Sequence, residues 1–157
     1  MASRPRVLIT GAARRIGRAI ALELAGAGWD LALHCRDSEP DAQALRSDAR
    51  ALGADAEVLR ADLGDAAACS ALVPEVIARC GTLDAMVNNA SHFTYDTLAD
   101  FSFDVLDRHL HVNAGAPLLL ARALHTHLQG RGARGCVVNL LDQKLVNPNP
   151  DYLSYTL

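Results

Sequence analysis

The chain has 157 residues, of which 50% are hydrophobic and 21% charged, a composition typical of a soluble globular protein of one domain. The formal net charge of −3 and the scattered arginines argue against a nucleic-acid or membrane-surface binding face. No apolar run approaches the roughly 20 residues of a membrane span, and no signal-peptide pattern opens the chain. We therefore expect a cytoplasmic protein without nucleic-acid or membrane partners.

The cysteines and histidines do not form a metal-binding pattern. The four cysteines lack the spacing of metal ligands or of a CxxC motif, and are expected to be reduced thiols. Two histidine pairs, His109/His111 and His125/His127, are two residues apart and would point to different sides of a helix. We expect no metal site.

Short apolar runs alternate along the chain with longer amphipathic stretches. Strands are predicted over 6–10, 30–35, 57–61, 83–88 and 136–141, and helices over 16–27, 41–52, 65–80 and 105–129. Asp65 is a candidate helix N-cap, and Gly28, Gly53 and Gly81 follow three predicted helix ends. Alternating strands and helices predict βαβ units. We expect an α/β fold, a doubly wound parallel sheet of the Rossmann-like type with strand order 3-2-1-4-5, forming a single dinucleotide-binding domain over residues 1–157.

The first predicted strand continues into TGAARRIGR and then directly into a helix. Glycines permit a sharp turn and close packing of helix against strand. The helix N-terminus offers N–H groups and a partial positive charge to a pyrophosphate. An ordinary βα turn also favours glycine, and the flanking strand and helix favour the phosphate-binding interpretation. The candidate cofactor-binding residues here are Gly11, Arg14, Arg15, Ile16 and Gly17.

Arg36, and not an acid, follows the second predicted strand. An acid there accepts hydrogen bonds from the adenosine ribose hydroxyls of NAD, whereas an arginine fork suits the ribose 2′-phosphate of NADP. We predict NADPH as cofactor, with His34 and Arg36 contacting it and Arg14 or Arg15 reaching the same phosphate. The alternative is that Arg36 is a solvated surface charge. Asp37 would reverse the preference if the strand ended one residue later.

These motifs resemble those of the short-chain dehydrogenase/reductase family. The first turn is similar to the family's T-G-x-x-x-G-x-G fingerprint, with Arg15 at the middle glycine. Asp62-Leu63 resembles the family's adenine-binding aspartate and its neighbour, although Asp62 could also cap a helix. The segment 88–91 resembles the family's N-N-A-G, with serine in place of glycine, in a turn that lies against the cofactor ribose. The resemblance implies further cofactor-binding residues: Asp62, Leu63, Asn89, Ala90 and Ser91.

The resemblance also implies a catalytic site. The family uses a tyrosine whose phenol pKa is lowered by a lysine four residues later, together with an asparagine and a serine. Tyr155 in LSYTL and Asn113 in HVNA match the tyrosine and the asparagine, and Asp142 stands in place of the serine. Tyr155 would donate the proton, Asn113 would order a proton-relay water and Asp142 would orient the substrate. Tyr152 fits less well, because the residue four positions later is Thr156.

Three departures from the family pattern are typical of its pteridine-reductase-like branch: Arg15, Asp142 and Phe93. In that branch the aromatic ring stacks on the pterin, and the aspartate supports proton delivery to a ring nitrogen. A carboxylic acid can pair with the N–H groups of a heterocycle and relay protons. Without the resemblance, Phe93 would be a core or lid residue and Asp142 a turn residue.

The lysine that the resemblance implies would be residue 159, beyond Leu157, and Lys144 is the only lysine in the sequence. We assign Lys144 no role. We expect a chain truncated at its C-terminus that covers about two-thirds of a family member. It is then part of an NADPH-dependent reductase of a pterin-like or carbonyl substrate, homo-oligomeric when complete. The alternatives are a catalytically inactive NADP-binding fragment and a subunit completed by another chain.

Overall fold

The computed structural model describes residues 4–143 and 146–157; Lys144 lies outside them. A five-stranded parallel sheet has the order β3-β2-β1-β4-β5, so the predicted doubly wound α/β fold is confirmed. The elements in chain order are β1 (Arg6–Ile9), α1 (Arg15–Gly26), β2 (Asp30–Cys35), α2 (Glu39–Ala51), β3 (Ala56–Arg60), α3 (Ala66–Cys80), β4 (Ala85–Asn88), α4 (Phe103–Leu110), α5 (Ala116–Arg131), β5 (Cys136–Asn139) and α6 (Leu153–Thr156).

Both faces of the sheet are covered by helices, which explains why the central strands read as continuous apolar runs. Successive side chains of β1 point to opposite faces: Val7 and Ile9 pack with α1 and α2, whereas Leu8 packs with α3 and α5. All three residues are at most 2% exposed. Two separate apolar layers therefore pack on the two faces of the sheet and fix the positions of its strand ends.

Most predicted elements are confirmed within one or two residues of each end. The capping prediction for α3 holds in detail: the Asp65 carboxylate accepts a hydrogen bond from the Ala68 N–H at 2.7 Å. Gly81 ends that helix with a φ of 80°, a left-handed conformation that glycine adopts at little cost. Strand β5 ends at Asn139, two residues earlier than expected, because its neighbour β4 already ends at the paired Asn88.

The long helix predicted over 105–129 is interrupted. A π-helical turn, His111–Gly115, separates α4 from α5, and the Ala116 N–H bonds the His111 carbonyl five residues back. Pro117 explains the interruption, since it has no N–H to donate to the carbonyl four residues before it, that of Asn113. Hydrophobic periodicity does not report such a break, so the sequence pattern predicted one continuous helix.

Strand β5 lies at the edge of the sheet, and its four residues are all exposed. Within the described residues, no helix combines the length and the apolar character needed to cross a lipid bilayer.

Candidate functional site

The carboxyl ends of the strands open onto one cleft of about 810 Å³. It lies beside the β1–β4 contact, where the strand order reverses and open α/β sheets bind their ligands. All twelve predicted cofactor-binding residues line it, together with Phe93, Asp142 and Tyr155. Asn113 is not part of its lining. The twelve are Gly11, Arg14, Arg15, Ile16, Gly17, His34, Arg36, Asp62, Leu63, Asn89, Ala90 and Ser91.

The turn between β1 and α1 packs so closely against its neighbours that Gly11 and Gly17 have no room for a side chain. A Cβ on Gly11 would lie 3.0 Å from the Ala90 Cα, and one on Gly17 would overlap the Gly11 carbonyl oxygen. Gly11 has a φ of 62°, and Arg15, with a φ of 52°, is the only non-glycine residue of the described ranges in the left-handed region. A side chain held there costs about 1–3 kcal/mol. The residues that begin α1, Arg15, Ile16 and Gly17, line the cleft.

Thr10 and Asn89 hold this turn from inside the protein. The Asn89 amide donates to the carbonyls of Thr10 (2.9 Å) and Gly11 (3.0 Å). The Thr10 hydroxyl accepts from the N–H groups of Asn89 and Ala90, each at 3.0 Å. Both amide hydrogens of Asn89 are thus used within the chain, so its side chain positions the turn and offers no donor to a ligand. Thr10 was part of the sequence motif but had no predicted role.

His34 lines the cleft, and its ring also holds the turn from inside the protein. The ring is 2% exposed. Its Nδ1 accepts from the Gly11 N–H at 3.1 Å, and its Nε2 lies 3.1 Å from the Ala61 carbonyl oxygen, to which it donates. Burial lowers the pKa of His34, and the acceptor role of Nδ1 requires the neutral ring. Both nitrogens are occupied, so no donor remains for a phosphate.

The neutral state of His34 predicts a pH-dependent stability. Its pKa in the fold lies below the unfolded value of 6.5, so below that pH the unfolded chain binds more protons. The free energy of unfolding is therefore expected to decrease as the pH falls below 6.5 and to be independent of His34 above it. Urea unfolding between pH 8 and 5 measures this.

The matched comparison uses two variants. His34→Asn retains an acceptor near Nδ1 but does not titrate, so its stability should decrease less between pH 7 and 5. His125→Gln, which removes an exposed histidine, should behave like the unmodified protein. An unchanged pH dependence in His34→Asn would refute the assignment.

The three arginines of the cofactor end differ in their partners. Arg14 pairs with Asp41 of α2, and Arg36 pairs with its neighbour Asp37. Arg15 makes no hydrogen bond or ion pair with any residue in the described part of the chain. Arg15 lines the cleft, and no described residue uses any of its five guanidinium donors. Arg15 is therefore the cation best placed for an anionic group.

The sequence left open whether strand β2 ends before Arg36 or one residue later, before Asp37. Strand β2 ends at Cys35, so the first residue beyond it is Arg36. Asp37 lies one position further and is ion-paired with Arg36. Arg60, at the end of β3, donates to the Arg36 carbonyl at 2.9 Å and brings a further cation to this end. The predicted 2′-phosphate residues follow β1 and β2, whereas Arg60 ends β3. The sequence motifs therefore did not indicate Arg60.

Asp62 lies at the same end of the cleft and is held by α4. Its carboxylate accepts two hydrogen bonds from Arg108 (2.8 and 3.0 Å) and one from the Gly64 N–H (2.9 Å). Partial burial alone would raise the pKa of Asp62, but the Gly64 N–H and the Arg108 guanidinium outweigh it and lower that pKa. The group is an oriented carboxylate with remaining acceptor capacity. Arg108 lies in the last turn of α4, 46 positions from Asp62, and no sequence motif indicated it.

At the other end of the cleft the Tyr155 hydroxyl donates to the Asp142 carboxylate at 2.9 Å. Burial raises the pKa of Tyr155, and the hydrogen bond to Asp142 and the charge of that residue raise it further; the Ser91 hydroxyl acts in the opposite direction. Tyr155 is therefore a protonated phenol at neutral pH. The structure brings together two residues that are 13 positions apart in sequence, as a proton-carrying pair requires.

Aromatic rings surround this pair. The Phe93 ring stacks on Tyr152 with centroids 4.2 Å apart and meets the edge of Tyr155 at 4.7 Å. Phe93 is 50% exposed and lines the cleft, so it is not a core residue. Tyr152 does not line the cleft. The structure thus separates the two candidate tyrosines: Tyr155 faces the cleft and Tyr152 supports Phe93.

Asn113 holds the loop that follows β4. Its Oδ1 accepts from the His92 N–H at 2.7 Å, and its Nδ2 donates to the His92 carbonyl at 2.9 Å. The side-chain amide of Asn113 is therefore engaged with this loop, and its predicted role in ordering a water stays a prediction. Pro117 has no N–H to offer the Asn113 carbonyl four residues before it.

Comparisons with known proteins agree with this geometry. The model of the short chain dehydrogenase family matches residues 5–156. The chain belongs to this family. A short chain dehydrogenase/reductase of Macrophomina phaseolina, dpmpG, is 32% identical over 135 residues, covering 85% of this chain and 77% of that protein. The 3-oxoacyl-[acyl-carrier-protein] reductase FabG of Staphylococcus aureus is 41% identical over 91 residues, covering 58% and 37%.

Among solved structures, FolM alternative dihydrofolate reductase 1 of Brucella suis, in complex with NADP, superposes with a TM-score of 0.88 at 36% identity. The match covers 97% of this chain and 63% of that one. This short-chain dehydrogenase sequence therefore spans less than two-thirds of the solved relative.

Proposed function

We propose that this chain provides the cofactor site and the proton donor of an NADPH-dependent oxidoreductase that reduces a pterin-like or carbonyl substrate. The observation that carries the proposal is the hydrogen-bonded Tyr155–Asp142 pair, which lies in the same cleft as Arg15, a cation that no residue in the described ranges pairs with. A reductase needs a bound hydride donor and a proton donor next to each other. One end of this cleft would hold the hydride donor, and the other end carries the proton donor.

The residues present fit a dinucleotide that carries a 2′-phosphate. Close packing at Gly11 and Gly17 lets a pyrophosphate approach the backbone at the N-terminus of α1. Arg15 and Arg36 would hold the 2′-phosphate, and Asp62 would accept from the adenine amino group. The NADP complex of the Brucella suis relative supports this assignment. When bound, NADPH supplies the hydride.

The chain's own residues handle the proton. Tyr155 is protonated at neutral pH and donates its hydroxyl hydrogen toward the cleft rim, where Asp142 accepts it. A substrate atom that gains negative charge during reduction would replace Asp142 as acceptor of that hydrogen. Asp142 would then pair with an N–H group of the substrate. The Asn113 carbonyl would order the water that returns a proton to Tyr155.

Two features support a planar heterocyclic substrate. Phe93 presents an exposed aromatic ring in the cleft, beside an acid that can pair with ring N–H groups. The Brucella suis relative is described as an alternative dihydrofolate reductase. A carbonyl substrate, as the name of the Staphylococcus aureus relative implies for that protein, is the second candidate. The inactive fragment and the subunit completed by another chain remain the competing interpretations.

The proposal also includes a cytoplasmic location and a homo-oligomeric state for the enzyme. All four cysteines are free thiols, which supports a cytoplasmic location. Large apolar side chains are exposed on both helices, Phe103 of α4 at 74% and Leu118 of α5 at 73%, and support a homo-oligomer. The intact mass of the protein from its native source gives the length of the natural chain and thereby identifies the full-length protein used in every experiment below.

Cofactor preference tests the adenosine end. The full-length protein should bind NADPH more tightly than NADH. Arg15→Gln should raise the Kd for NADPH about 10- to 100-fold, because one charge-assisted contact contributes about 1.5–3 kcal/mol, and should leave the Kd for NADH nearly unchanged. Arg122→Gln removes an exposed arginine outside the cleft and serves as control. Equal changes in both Kd values would contradict the assignment, and isothermal titration calorimetry measures them.

Substrate class is tested by following NADPH oxidation at 340 nm with a panel of dihydropterins and of β-keto and simple ketones. Turnover of a dihydropterin with the highest kcat/KM is the expected result. Preference for a ketone would retain the oxidoreductase proposal and reject the pterin. Absence of turnover with every compound, in a protein that binds NADPH, would favour the inactive alternative.

A further inference from the structure

A buried carboxylate outside the cleft holds the segment that carries Tyr155. Asp96 is 2% exposed and does not line the cleft. It ends the stretch 91–96 that follows β4, which includes Ser91 and Phe93 of the cleft wall. A carboxylate is rarely buried unless its hydrogen bonds are satisfied inside the protein. The partners of Asp96 therefore indicate its role.

Every hydrogen bond of the Asp96 side chain comes from one residue, Ser154, which directly precedes Tyr155. The Ser154 N–H lies 3.1 and 3.2 Å from the two carboxylate oxygens, and the Ser154 hydroxyl donates to Oδ2. Ser154 is itself 3% exposed. Charge-assisted hydrogen bonds of this kind, shielded from water, are stronger than those between neutral groups.

The backbone of Asp96 fixes the same segment. Its N–H donates to the Asp151 carbonyl at 3.3 Å, and its carbonyl accepts from the Leu153 N–H at 3.1 Å. These two bonds form a parallel bridge between Asp96 and Tyr152. Asp96 thus contacts the start of α6 through both main chain and side chain.

Helix α6 begins at Leu153 and carries Tyr155 in its first turn. The first N–H groups of a helix have no acceptors within it. The Asp96 carboxylate supplies an acceptor for one of them. The position of the Tyr155 hydroxyl, 2.9 Å from Asp142, depends on the register of this turn.

We propose that Asp96 is a positioning residue for Tyr155, tying the helical turn that bears the phenol to the loop that forms the cleft wall. The inference rests on the proposed function of Tyr155 as proton donor. It assigns to Asp96 no contact with substrate or cofactor. Its loss should displace the phenol and leave the cofactor end intact.

Asp96→Asn in the full-length protein tests the inference. The amide has nearly the same size but no negative charge, and its NH2 group is a donor that would face the Ser154 N–H in place of one of the two carboxylate oxygens that now lie beside it. We expect kcat to fall about 10- to 100-fold, as for a misplaced catalytic group, with a Kd for NADPH within about twofold of the original. In a Tyr155→Phe background, Asp96→Asn should cause no additional loss of turnover.

Asp100→Asn is the matched control. Asp100 lies in the same loop, is exposed, and bonds only to the nearby Thr97, so its replacement should leave kcat unchanged. If Asp96→Asn does not fold, Ser154→Ala removes the hydroxyl donor and should also lower kcat at constant Kd for NADPH. An unchanged kcat in both variants, an equal loss of cofactor binding, or a further loss in the Tyr155→Phe background would overturn the inference.

Hydrogen exchange separates this inference from the proposed function. If the full-length protein shows no reductase activity, the proposed function fails. The exchange rates of the backbone amides of residues 151–156 still show whether Asp96 holds this segment. Exchange there should be faster in Asp96→Asn and unchanged in Asp100→Asn. Equal exchange rates in the two variants would reject the anchoring role irrespective of activity.

Discussion

Replacing Tyr155 by phenylalanine in the full-length protein is expected to lower kcat about 10²- to 10⁴-fold, the usual contribution of a general acid, without changing the Kd for NADPH. The phenol is the protonated group that faces the cleft next to Asp142, whereas the cofactor end lies around Arg15 and Asp62. Removing one hydroxyl leaves the ring and its edge contact with Phe93 in place. Steady-state kinetics and calorimetric titration with NADPH measure the two quantities.

The control for this prediction is Tyr152→Phe. That residue stacks on Phe93 and does not line the cleft, so the loss of its hydroxyl should change kcat little. Retained turnover in Tyr155→Phe, or an equal loss in both variants, would exclude Tyr155 as the proton donor. A large loss in Tyr152→Phe alone would exchange the roles of the two tyrosines.

Gly17→Ala is expected to abolish cofactor binding and to lower the free energy of unfolding. The new methyl group would overlap the Gly11 carbonyl oxygen and lie 2.7 Å from the Asn89 amide nitrogen. The Gly11 carbonyl belongs to the turn between β1 and α1, and the Asn89 amide nitrogen holds that turn from the segment after β4. Overpacking of this kind costs about 1–3 kcal/mol, and the turn can accommodate the methyl group only by giving up the geometry that a pyrophosphate requires.

Gly26→Ala provides the comparison within the same helix. A Cβ on Gly26 would meet no atom within 4 Å, so the substitution should leave stability and NADPH binding unchanged or slightly improved. Chemical unfolding and calorimetric titration of both variants test the contrast. Normal NADPH binding by Gly17→Ala would show that the turn does not hold the pyrophosphate.

The two ends of the cleft share one structural principle. Each places its chemically important group with polar residues whose side-chain hydrogen bonds go to other parts of the chain: His34, Thr10 and Asn89 at the phosphate turn, and Asp96 and Asn113 near Tyr155. Because these groups bond to backbone atoms, they fix main-chain geometry in addition to side-chain orientation. Substitutions among them should therefore alter ligand binding or turnover at one end and spare the other.

The sequence by itself determined the fold, the strand order and the cleft lining. Apolar runs such as Val7–Ile9 and caps such as Asp65 are set by local rules of burial and hydrogen bonding, and right-handed crossovers leave few ways to arrange the strands. The carboxyl ends of parallel strands meet at one edge, so residues that follow those strands had to converge. For this reason the predicted cofactor residues and Tyr155, Asp142 and Phe93 all line one cleft.

Only the tertiary structure decided which of those residues remain available to a ligand. The side chains of His34, Asn89 and Asn113 form hydrogen bonds with backbone groups between 21 and 79 positions away. Arg15, by contrast, keeps its donors unpaired within the described residues. The anchoring of Tyr155 by Asp96 spans 58 positions. Hydrogen bonds between distant segments leave no periodicity or spacing in the sequence, because their geometry exists only after the sheet and its helices have brought the segments together.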